Sequence, residues 1–186
     1  MRLWATGASD APRIIRGPVN IRDAVDDDAA GIAEIYNDAV LNGCAVWNNT
    51  AVDEENRRRW IKDHQRNGFP VLVAVENGAV VGYAAIGPYR DFDGYRRTVE
   101  NSVYVRDGQR GKGIGRVLLA AVCDRARASG VHVMVAAIEA GNTGSIRLHE
   151  DLGFERVGLL KEVGFKFGTW LDLAFLQLTF EGEAPR

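Results

Sequence analysis

The stretch DGQRGKGIGR, residues 107–116, is the most informative part of the sequence, because it combines closely spaced glycines with three cations. It follows TVENSVYV (98–105), in which apolar and polar residues alternate as they do in a strand. After it, apolar residues recur at helical spacing over 114–128. A strand, a glycine-rich turn and a helix together present backbone N–H groups and a positive helix end to phosphate. The stretch therefore predicts a phosphate-binding turn.

The spacing of these glycines excludes two common nucleotide loops. A P-loop needs Ser or Thr after its Gly-Lys pair, but Lys112 is followed by Gly113. The dinucleotide fingerprint needs a wider glycine spacing and a place after the first strand, and this turn has neither. From the residues alone, a purely structural glycine turn stays open as an alternative.

The segments around the turn predict one α/β (α+β) domain over residues 19–182. Their order from Val19 is β-α-α-β-β-β-α-β-α-β-β, which indicates a mixed central sheet of about seven strands flanked by about four helices. The dipeptide NG (77–78) predicts a tight hairpin. The segment GFKFGT (164–169) is expected to connect the last two strands. Residues 1–18 are predicted to form a flexible leader.

Composition narrows the class of protein. Of 186 residues, 46% are apolar and 26% are charged, and the net charge is -2, which is typical of a soluble domain and predicts no nucleic-acid partner. No apolar run approaches the ~20 residues that span a membrane, so no membrane partner is predicted. Cys44 and Cys123 are isolated, which favours a cytoplasmic location. No metal site is predicted, because the three histidines lack ligand spacing. The arginine run 57–59 is expected to be a solvated helix face.

Three positions of the turn, Arg110, Gly113 and Gly115, match the pattern Arg/Gln-x-x-Gly-x-Gly/Ala. This pattern resembles the pyrophosphate loop of the GNAT superfamily of acetyl-CoA-dependent N-acetyltransferases. NTGSIRLHEDLGF (142–154) resembles a later helix of the same superfamily, and the resemblance extends over 19–180. Within it, the chain is similar to the phosphinothricin acetyltransferase branch, and most of all to bacterial enzymes that acetylate methionine sulfone and methionine sulfoximine. The segments that carry this similarity are IYNDAV (35–40), TVENSVYV (98–105), VAAIEAGNTGSIRLHEDLGF (135–154) and VGFKFGTWLDLAFLQL (163–178).

Glu100 is the candidate general base. Strand alternation puts Glu100, Ser102 and Tyr104 on one face, opposite Val99, Asn101, Val103 and Val105. An edge-strand charge paired with Arg96 or Arg97 is the structural alternative for this acid. The catalytic glutamate of the resembled family falls on Glu100, which favours the catalytic interpretation.

The resemblance implies an acetyl-CoA site and a second catalytic residue, His149. Many relatives have at that position a tyrosine assigned to protonate the coenzyme A sulfur, whereas the phosphinothricin branch has histidine; a structural role for His149 stays open. The expected cofactor-binding residues are Val103, Tyr104 and Val105 along the strand, Arg110, Gly111, Lys112, Gly113, Ile114, Gly115 and Arg116 around the pyrophosphate, and Asn142 and Ser145 at the coenzyme A arm.

The loop PYRDFDGYRR (88–97) is expected to select the acceptor. Arg90 can clamp the carboxylate of an amino acid, with Phe92 and Tyr95 as walls. Relatives that grip phosphinothricin have a second basic residue at the position of Phe92, so this chain favours neutral sulfone or sulfoximine tails. Trp47 is a further candidate wall, although a core position is the commoner role for tryptophan. The expected substrate-binding residues are Arg90, Asp91, Phe92, Tyr95, Asn101 and Ser102.

These inferences predict an N-acetyltransferase that acetylates the α-amine of small amino acids or toxic analogues by direct transfer in a ternary complex. The analogues are methionine sulfone, methionine sulfoximine and, as a further candidate, phosphinothricin. The resemblance also implies a homodimer that packs through KFGTW (166–170). A protein N-terminal acetyltransferase, a polyamine acetyltransferase and a non-catalytic CoA-binding regulatory domain are the alternatives. The arginines of the acceptor loop disfavour polyamines, and Glu100 disfavours a sensor without catalysis.

Overall fold

A computed structural model of the chain describes residues 19–181, and the predicted leader lies outside them. Its elements follow the predicted order and confirm the predicted fold class. They are β1 (Asn20–Asp23), α1 (Ala29–Asn42), α2 (Glu54–Arg66), β2 (Val71–Glu76), β3 (Ala79–Pro88), β4 (Thr98–Val105), α3 (Ile114–Ala128), β5 (Val133–Glu139), α4 (Thr143–Glu150), β6 (Glu155–Lys166) and β7 (Thr169–Thr179). Short 3₁₀ turns, Asp26–Asp28 and Asp93–Tyr95, precede α1 and β4.

The described strands form one sheet in the order β1-β2-β3-β4-β5-β7-β6. Neighbouring strands are antiparallel except β4 and β5, which run parallel. One apolar cluster lies between the sheet and the pair α3 and α4, around Leu118, Met134 and Ile146. A second cluster lies under α1 and α2, around Ile32 and Ile61. The sheet therefore has helices on both faces, and β4 lies at its centre.

The hairpin between β2 and β3 has the predicted turn. Asn77 and Gly78 adopt left-handed φ angles of 50° and 80°, which a two-residue turn of type I′ requires. Asn and Gly tolerate this conformation better than other residues, so the NG signal was sufficient to find the hairpin.

The prediction for GFKFGT was wrong in one respect, because most of this segment is strand. β6 continues through Lys166, and only Phe167 and Gly168 form the turn to β7. The Lys166 side chain is buried, and its ammonium donates to the carbonyl oxygens of Val40 at 2.6 Å and Gly43 at 2.7 Å. These bonds satisfy carbonyls at the end of α1 and hold the last residues of β6 in the sheet.

Trp47 takes a packing position on β6. A Cβ atom added at Gly164 would overlap the Trp47 ring, so the ring lies flat on the bare backbone of that glycine. The indole N–H donates to the carbonyl oxygen of Cys44 at 3.0 Å. Together with Lys166, this contact attaches the segment after α1 to the edge of the sheet.

Among residues 19–181 no helix is long and apolar enough to cross a membrane. The same part of the chain holds no group of three or more His, Cys, Asp or Glu side chains arranged around a common point.

Candidate active site

The site begins where β4 and β5 separate. The two strands pair only over Thr98–Glu100 and Val133–Val135, although β4 continues to Val105 and β5 continues to Glu139. Past Glu100, β4 remains paired with β3 along its other edge. The edge of β4 that faces β5 is therefore open from Asn101 onwards, and its backbone N–H and C=O groups can bind an extended ligand.

The glycine turn connects this open edge to α3. Gly111 and Gly113 have φ angles of 76° and 84°, which disfavour residues with a side chain. Gly113 is the N-cap of α3 and supplies no side-chain bond, so the first N–H groups of the helix face outward without a cap. A Cβ at Gly115 would lie 3.2 Å from Leu148 and 3.5 Å from Val105, so this glycine permits α3 to pack closely on α4 and β4.

The three cations of the turn each have a partner in the protein. Arg110 donates to the Asp38 carboxylate at 3.2 Å and to the Val105 carbonyl at 3.3 Å, which ties the turn to α1 and β4. Lys112 donates to Gln109 at 2.6 Å. Arg116 lies 3.5 Å from Asp151, across α3 and α4. All three side chains are exposed, so these pairs are weak and the cations can also face an anion.

Glu100 is half-buried in the central strand β4 and not in an edge strand. The ion pairs of residues 19–181 do not include its carboxylate, so the predicted alternative of a pair with Arg96 or Arg97 does not occur there. Burial raises the pKa of Glu100, and the nearby charge of Arg90 opposes this rise. A carboxyl with a raised pKa and no fixed partner can accept a proton.

The acceptor loop lies directly before β4. Arg90 is exposed and stacks on the Tyr89 ring, with 5.0 Å between the guanidinium carbon and the ring centroid. Phe92 is 72% exposed, and Asp91 is exposed beside it. The Tyr95 ring packs edge-on against Tyr89 at 5.4 Å. The loop thus brings the charge of Arg90 near Glu100 and exposes the rings of Phe92 and Tyr95, and the roles of these residues stay predictions.

The other face of β4 holds a buried polar cluster. Asn101 donates to the Val135 carbonyl at 3.3 Å, and its Oδ1 lies 3.1 Å from His149 Nε2. His149 Nδ1 lies 2.8 Å from the carbonyl oxygen of Ser145. Only a protonated ring can donate to both oxygens, but burial lowers the pKa of His149. Because the ring is only 3% exposed, burial keeps it neutral, and it then has one proton between two acceptors.

This cluster bears on three predicted roles. His149 would have to release a partner before it could reach a sulfur atom, and its catalytic role stays a prediction. The Asn101 side chain lies on the opposite face from Glu100, with Val99 and Val103, whereas Ser102 shares the face of Glu100. Asn142 accepts from the Ser145 N–H at 3.1 Å and caps α4, which begins at Thr143. Contacts of Asn142 and Ser145 with coenzyme A likewise stay predictions.

Two residues on the same side of the sheet as Glu100 did not stand out in the sequence. Arg57 stacks on the rings of Tyr36 and Trp60 at 4.4 and 5.1 Å, so the arginine run is not uniformly solvated as predicted. His64 lies over Gly87, where a Cβ would be 3.5 Å from its Nε2 atom. Helical spacing places 57, 60 and 64 on one side of α2, which is the signal that could have found them.

These features fit acetyl-CoA, because the turn offers uncapped N–H groups to phosphates and the open β4 edge offers hydrogen-bonding groups to a pantetheine arm. The chain belongs to the acetyltransferase (GNAT) family, whose sequence profile matches residues 26–154. It is therefore an acetyltransferase, and acetyl-CoA is its cofactor.

Several individual relatives are similar to this chain over most of its length. The chain is 57% identical over 163 residues to the L-methionine sulfoximine/L-methionine sulfone acetyltransferase of Pseudomonas aeruginosa, covering 87% of this chain and 95% of that protein. It is 52% identical over 163 residues to the L-amino acid N-acyltransferase of Escherichia coli, with 88% and 95% covered. A phosphinothricin N-acetyltransferase of Alcaligenes faecalis is 36% identical over 174 residues, with 90% and 88% covered.

Solved structures of acetyltransferases have the same fold as this chain. A Salmonella typhimurium acetyltransferase solved with its cofactor acetyl-CoA superimposes with a TM-score of 0.88 at 52% identity, covering 90% of this chain and 96% of that one. A ribosomal-protein-alanine N-acetyltransferase of Brucella melitensis has a TM-score of 0.85 at 54% identity, with 87% and 99% covered.

Proposed function

We propose that this enzyme acetylates the α-amine of small amino acids and of their toxic analogues methionine sulfone and methionine sulfoximine. The observation that carries the proposal is Glu100, a half-buried carboxyl with a raised pKa that has no ion-pair partner among residues 19–181 and lies where β4 leaves β5. The similarity to relatives named for these acceptors supports the substrate class.

Glu100 acts as the general base. An α-amine has a pKa near ~8, compared with ~10.4 for lysine, so a single carboxylate suffices to remove its proton near neutral pH. Bound acetyl-CoA supplies an acetyl group activated as a thioester. The open edge of β4, including the Val103–Val105 backbone, would hold the cofactor arm, and a backbone N–H there would polarise the thioester carbonyl.

The cysteines support direct transfer in a ternary complex over an acyl-enzyme. Cys123 is buried on α3, and burial raises its pKa to about 12, which leaves almost no thiolate at neutral pH. Cys44 lies beyond the end of α1, beside the Lys166 anchor, and both thiols are free. Free thiols also accord with action in the reducing cytoplasm.

Arg90 holds the carboxylate of the acceptor. Its charge already acts on Glu100, so an amino acid whose carboxylate is bound by Arg90 has its amine close to the base. Phe92 places an apolar ring where relatives that take phosphinothricin have a second cation. This composition favours a neutral sulfone or sulfoximine tail over the charged tail of phosphinothricin, which is expected to be a poorer acceptor.

A second candidate function is acetylation of protein N-terminal alanine. The observation that favours it is the structural similarity to the ribosomal-protein-alanine N-acetyltransferase of Brucella melitensis. Both acceptors offer an α-amine to the same base. They differ in the free carboxylate, which an amino acid has and a peptide bond lacks, so Arg90 separates the two functions.

A panel of possible acceptors would test both candidate functions. Coenzyme A release would be followed with methionine sulfone, methionine sulfoximine, phosphinothricin, phenylalanine, spermidine and a peptide that begins with alanine. We expect turnover on the sulfone and the sulfoximine, with the highest kcat/KM of the panel. Turnover on the peptide alone would establish the second candidate, and turnover on spermidine alone would contradict both.

We also infer a homodimer that packs through β6 and the β6–β7 turn. β6 is an edge strand, and its exposed apolar side chains continue into Phe167 (62% exposed) and Trp170 (60% exposed). Such a continuous apolar surface is typical of a subunit interface. Light scattering after gel filtration should give twice the mass of the chain, and Trp170→Lys should give a monomer, whereas Val25→Lys should not. A monomeric wild-type enzyme at assay concentration would contradict the inference.

A further inference from the structure

The environment of His64 points to a path for the proton that Glu100 accepts. Gly87 of β3 pairs directly with Glu100 of β4 in the antiparallel register. Directly paired residues point their Cβ atoms to the same face, about 5 Å apart. His64 Nε2 lies 3.5 Å from the Cβ position of Gly87, so His64 covers the sheet face on which the Glu100 side chain lies. The His64 ring and the Glu100 side chain therefore lie on the same sheet face, next to Gly87.

The space between the two side chains is open to water. The two distances put Nε2 within roughly 9 Å of the Glu100 Cβ, and the glutamate side chain spans part of that length. A carboxylic acid and an imidazole within this range can exchange a proton through intervening water. Any side chain at position 87 would narrow the gap, and glycine keeps it open.

The hydrogen bonds of His64 leave one nitrogen free for this exchange. Nδ1 lies 3.0 Å from the carbonyl oxygen of Trp60, which can only accept, so the neutral ring has its proton on Nδ1. Nε2 therefore has the lone pair, and no hydrogen-bonding partner among residues 19–181 contacts it. The ring is held between Trp60 at 4.4 Å and Phe69 at 6.5 Å between centroids. Its orientation is fixed while its basic atom stays free.

Nε2 also has a route to solvent. His64 lines an open cavity of about 790 Å³ beside the end of β3. The residues that line it are Asn56, Arg57, Arg59, Trp60, Asp63, His64, Asn67, Phe69 and Pro88. Water in this cavity can carry a proton away from the imidazole.

The charged and titratable groups that face His64 are few. Arg57, Arg59 and Asp63 come from its own helix, Glu100 comes from β4, and Phe69 and Pro88 add only apolar contact. Burial and the charge of Arg57 lower the pKa of His64, and Asp63 opposes them. The neutral ring, which is the form able to accept a proton, therefore predominates at neutral pH.

We propose that His64 relays the amine proton from Glu100 to the water of this cavity. The inference rests on the proposed role of Glu100. In each turnover an ammonium group and a thioester become an amide and a thiol, and one proton is released. The amine N–H bond breaks as an O–H bond forms on Glu100; water passes this proton to Nε2, and the imidazolium releases a proton to the cavity. Glu100 is thereby returned to its ionised form.

The experiment compares His64→Gln with His132→Gln, which changes an exposed histidine in the connection between α3 and β5. We expect kcat at saturating acceptor to fall about tenfold in His64→Gln, with the KM for acetyl-CoA unchanged. The deficit should narrow as pH rises, because hydroxide then accepts the proton directly. His132→Gln should keep the wild-type profile.

Chemical rescue separates the relay from a packing role. Imidazole added to His64→Ala should restore kcat in proportion to its concentration, whereas pyrazole, which has the same shape but is weakly basic, should not. Equal rescue by both rings, or a wild-type kcat in His64→Gln, would overturn the relay. If the wild-type enzyme acetylates methionine sulfone and Glu100→Gln does not, such a result leaves the proposed function intact. Wild-type inactivity on every α-amine would instead remove the proposed function.

Discussion

The two faces of β4 differ in how their polar side chains find partners. On the side of α3 and α4, Asn101 donates to the Val135 carbonyl, and each ring nitrogen of His149 faces an acceptor oxygen, one of Asn101 and one of Ser145. On the side of α1 and α2, Glu100 has no ion pair within residues 19–181, and His64 has one nitrogen bonded and one free. Both faces contain a histidine whose pKa is lowered by burial. The direction of the pKa shift is the same, but the number of free nitrogen atoms differs.

This difference separates a structural use of histidine from a chemical one. A ring whose two nitrogens both face acceptor oxygens holds α4 to β4, and it cannot pass on its one proton without losing the hydrogen bond that the fold uses. A ring with one free nitrogen beside a carboxyl and a water-accessible cavity can move a proton at no cost to the fold. The α1/α2 face is therefore expected to control kcat, and the α3/α4 face to control stability and cofactor affinity.

The largest effect is expected from Glu100→Gln. Glutamine keeps the size of the side chain but cannot accept a proton, so kcat should fall by about 10² to 10⁴. The dissociation constant of acetyl-CoA should stay within about twofold, because the β4 backbone and the turn are unchanged. Steady-state kinetics and calorimetric titration would measure both quantities. Glu76→Gln, a half-buried strand glutamate near the β2–β3 turn, is the matched control and should stay fully active.

Loss of cofactor affinity with an unchanged kcat would contradict this assignment. Glu100 would then contribute to cofactor binding and not to catalysis. The pH profile gives a second reading. Because the pKa of Glu100 is raised from 4.5, the acid limb of kcat should lie above that value and should disappear in the variant.

The sequence was informative about α3 and its turn because local rules govern them. Glycines at left-handed φ angles, a strand before and a helix after are all visible within 107–116, and the helix begins at the predicted Ile114. Strand alternation likewise placed Glu100 and Asn101 on opposite faces. The α1/α2 face could not be predicted in the same way, because the approach of His64 to Gly87 depends on how α2 packs on β3. The burial of Lys166 also depends on a distant partner, the end of α1.

The next largest effect is expected from Arg90 in the acceptor loop, whose charge acts on Glu100 on the α1/α2 face. Arg90→Leu removes a charged hydrogen-bond donor worth about 1.5–3 kcal/mol, so the KM for methionine sulfone should rise by roughly ten- to a hundredfold. The pKa of Glu100 should also rise, since Arg90 lowers it, and the acid limb of the profile should move to higher pH. Arg97→Leu, an exposed arginine in the same loop, is the control. A KM for an alanine peptide that is unaffected by Arg90→Leu would confirm that the residue recognises the free carboxylate.

His149→Phe should mainly change stability. It removes the one hydrogen bond that the neutral ring donates to Asn101 Oδ1 or to the Ser145 carbonyl, and a buried polar group left unsatisfied costs about 1–3 kcal/mol. The cost should be greatest above the ordinary histidine pKa of 6.5. As pH falls below it, the unfolded wild-type chain takes up a proton first, so wild-type stability falls through the lower folded pKa while the variant lacks this loss. Urea unfolding at several pH values would measure the free energy of unfolding of both proteins, and the difference between them should shrink as the pH falls.

The kinetic result for His149→Phe decides its predicted catalytic role. A structural ring predicts a kcat within about threefold of the wild type, whereas a ring that protonates the leaving sulfur predicts a loss of about 10² or more. The second outcome would mean that the bonded histidine, like the free one, moves protons during turnover, and the contrast between the two faces would not hold.

The smallest effect is expected at the start of α3. Gly113 has a φ of 84°, and alanine there costs about 1–2 kcal/mol of backbone strain. Gly130, with a φ of 79° after the end of the same helix, is the matched control, since alanine should destabilise the fold to a similar extent. Only Gly113→Ala should weaken acetyl-CoA binding, because it displaces the uncapped N–H groups that would contact the phosphates. We expect the dissociation constant to rise by roughly tenfold, which corresponds to about 1.4 kcal/mol. Equal weakening in both variants would show that the turn supports α3 without contacting the cofactor.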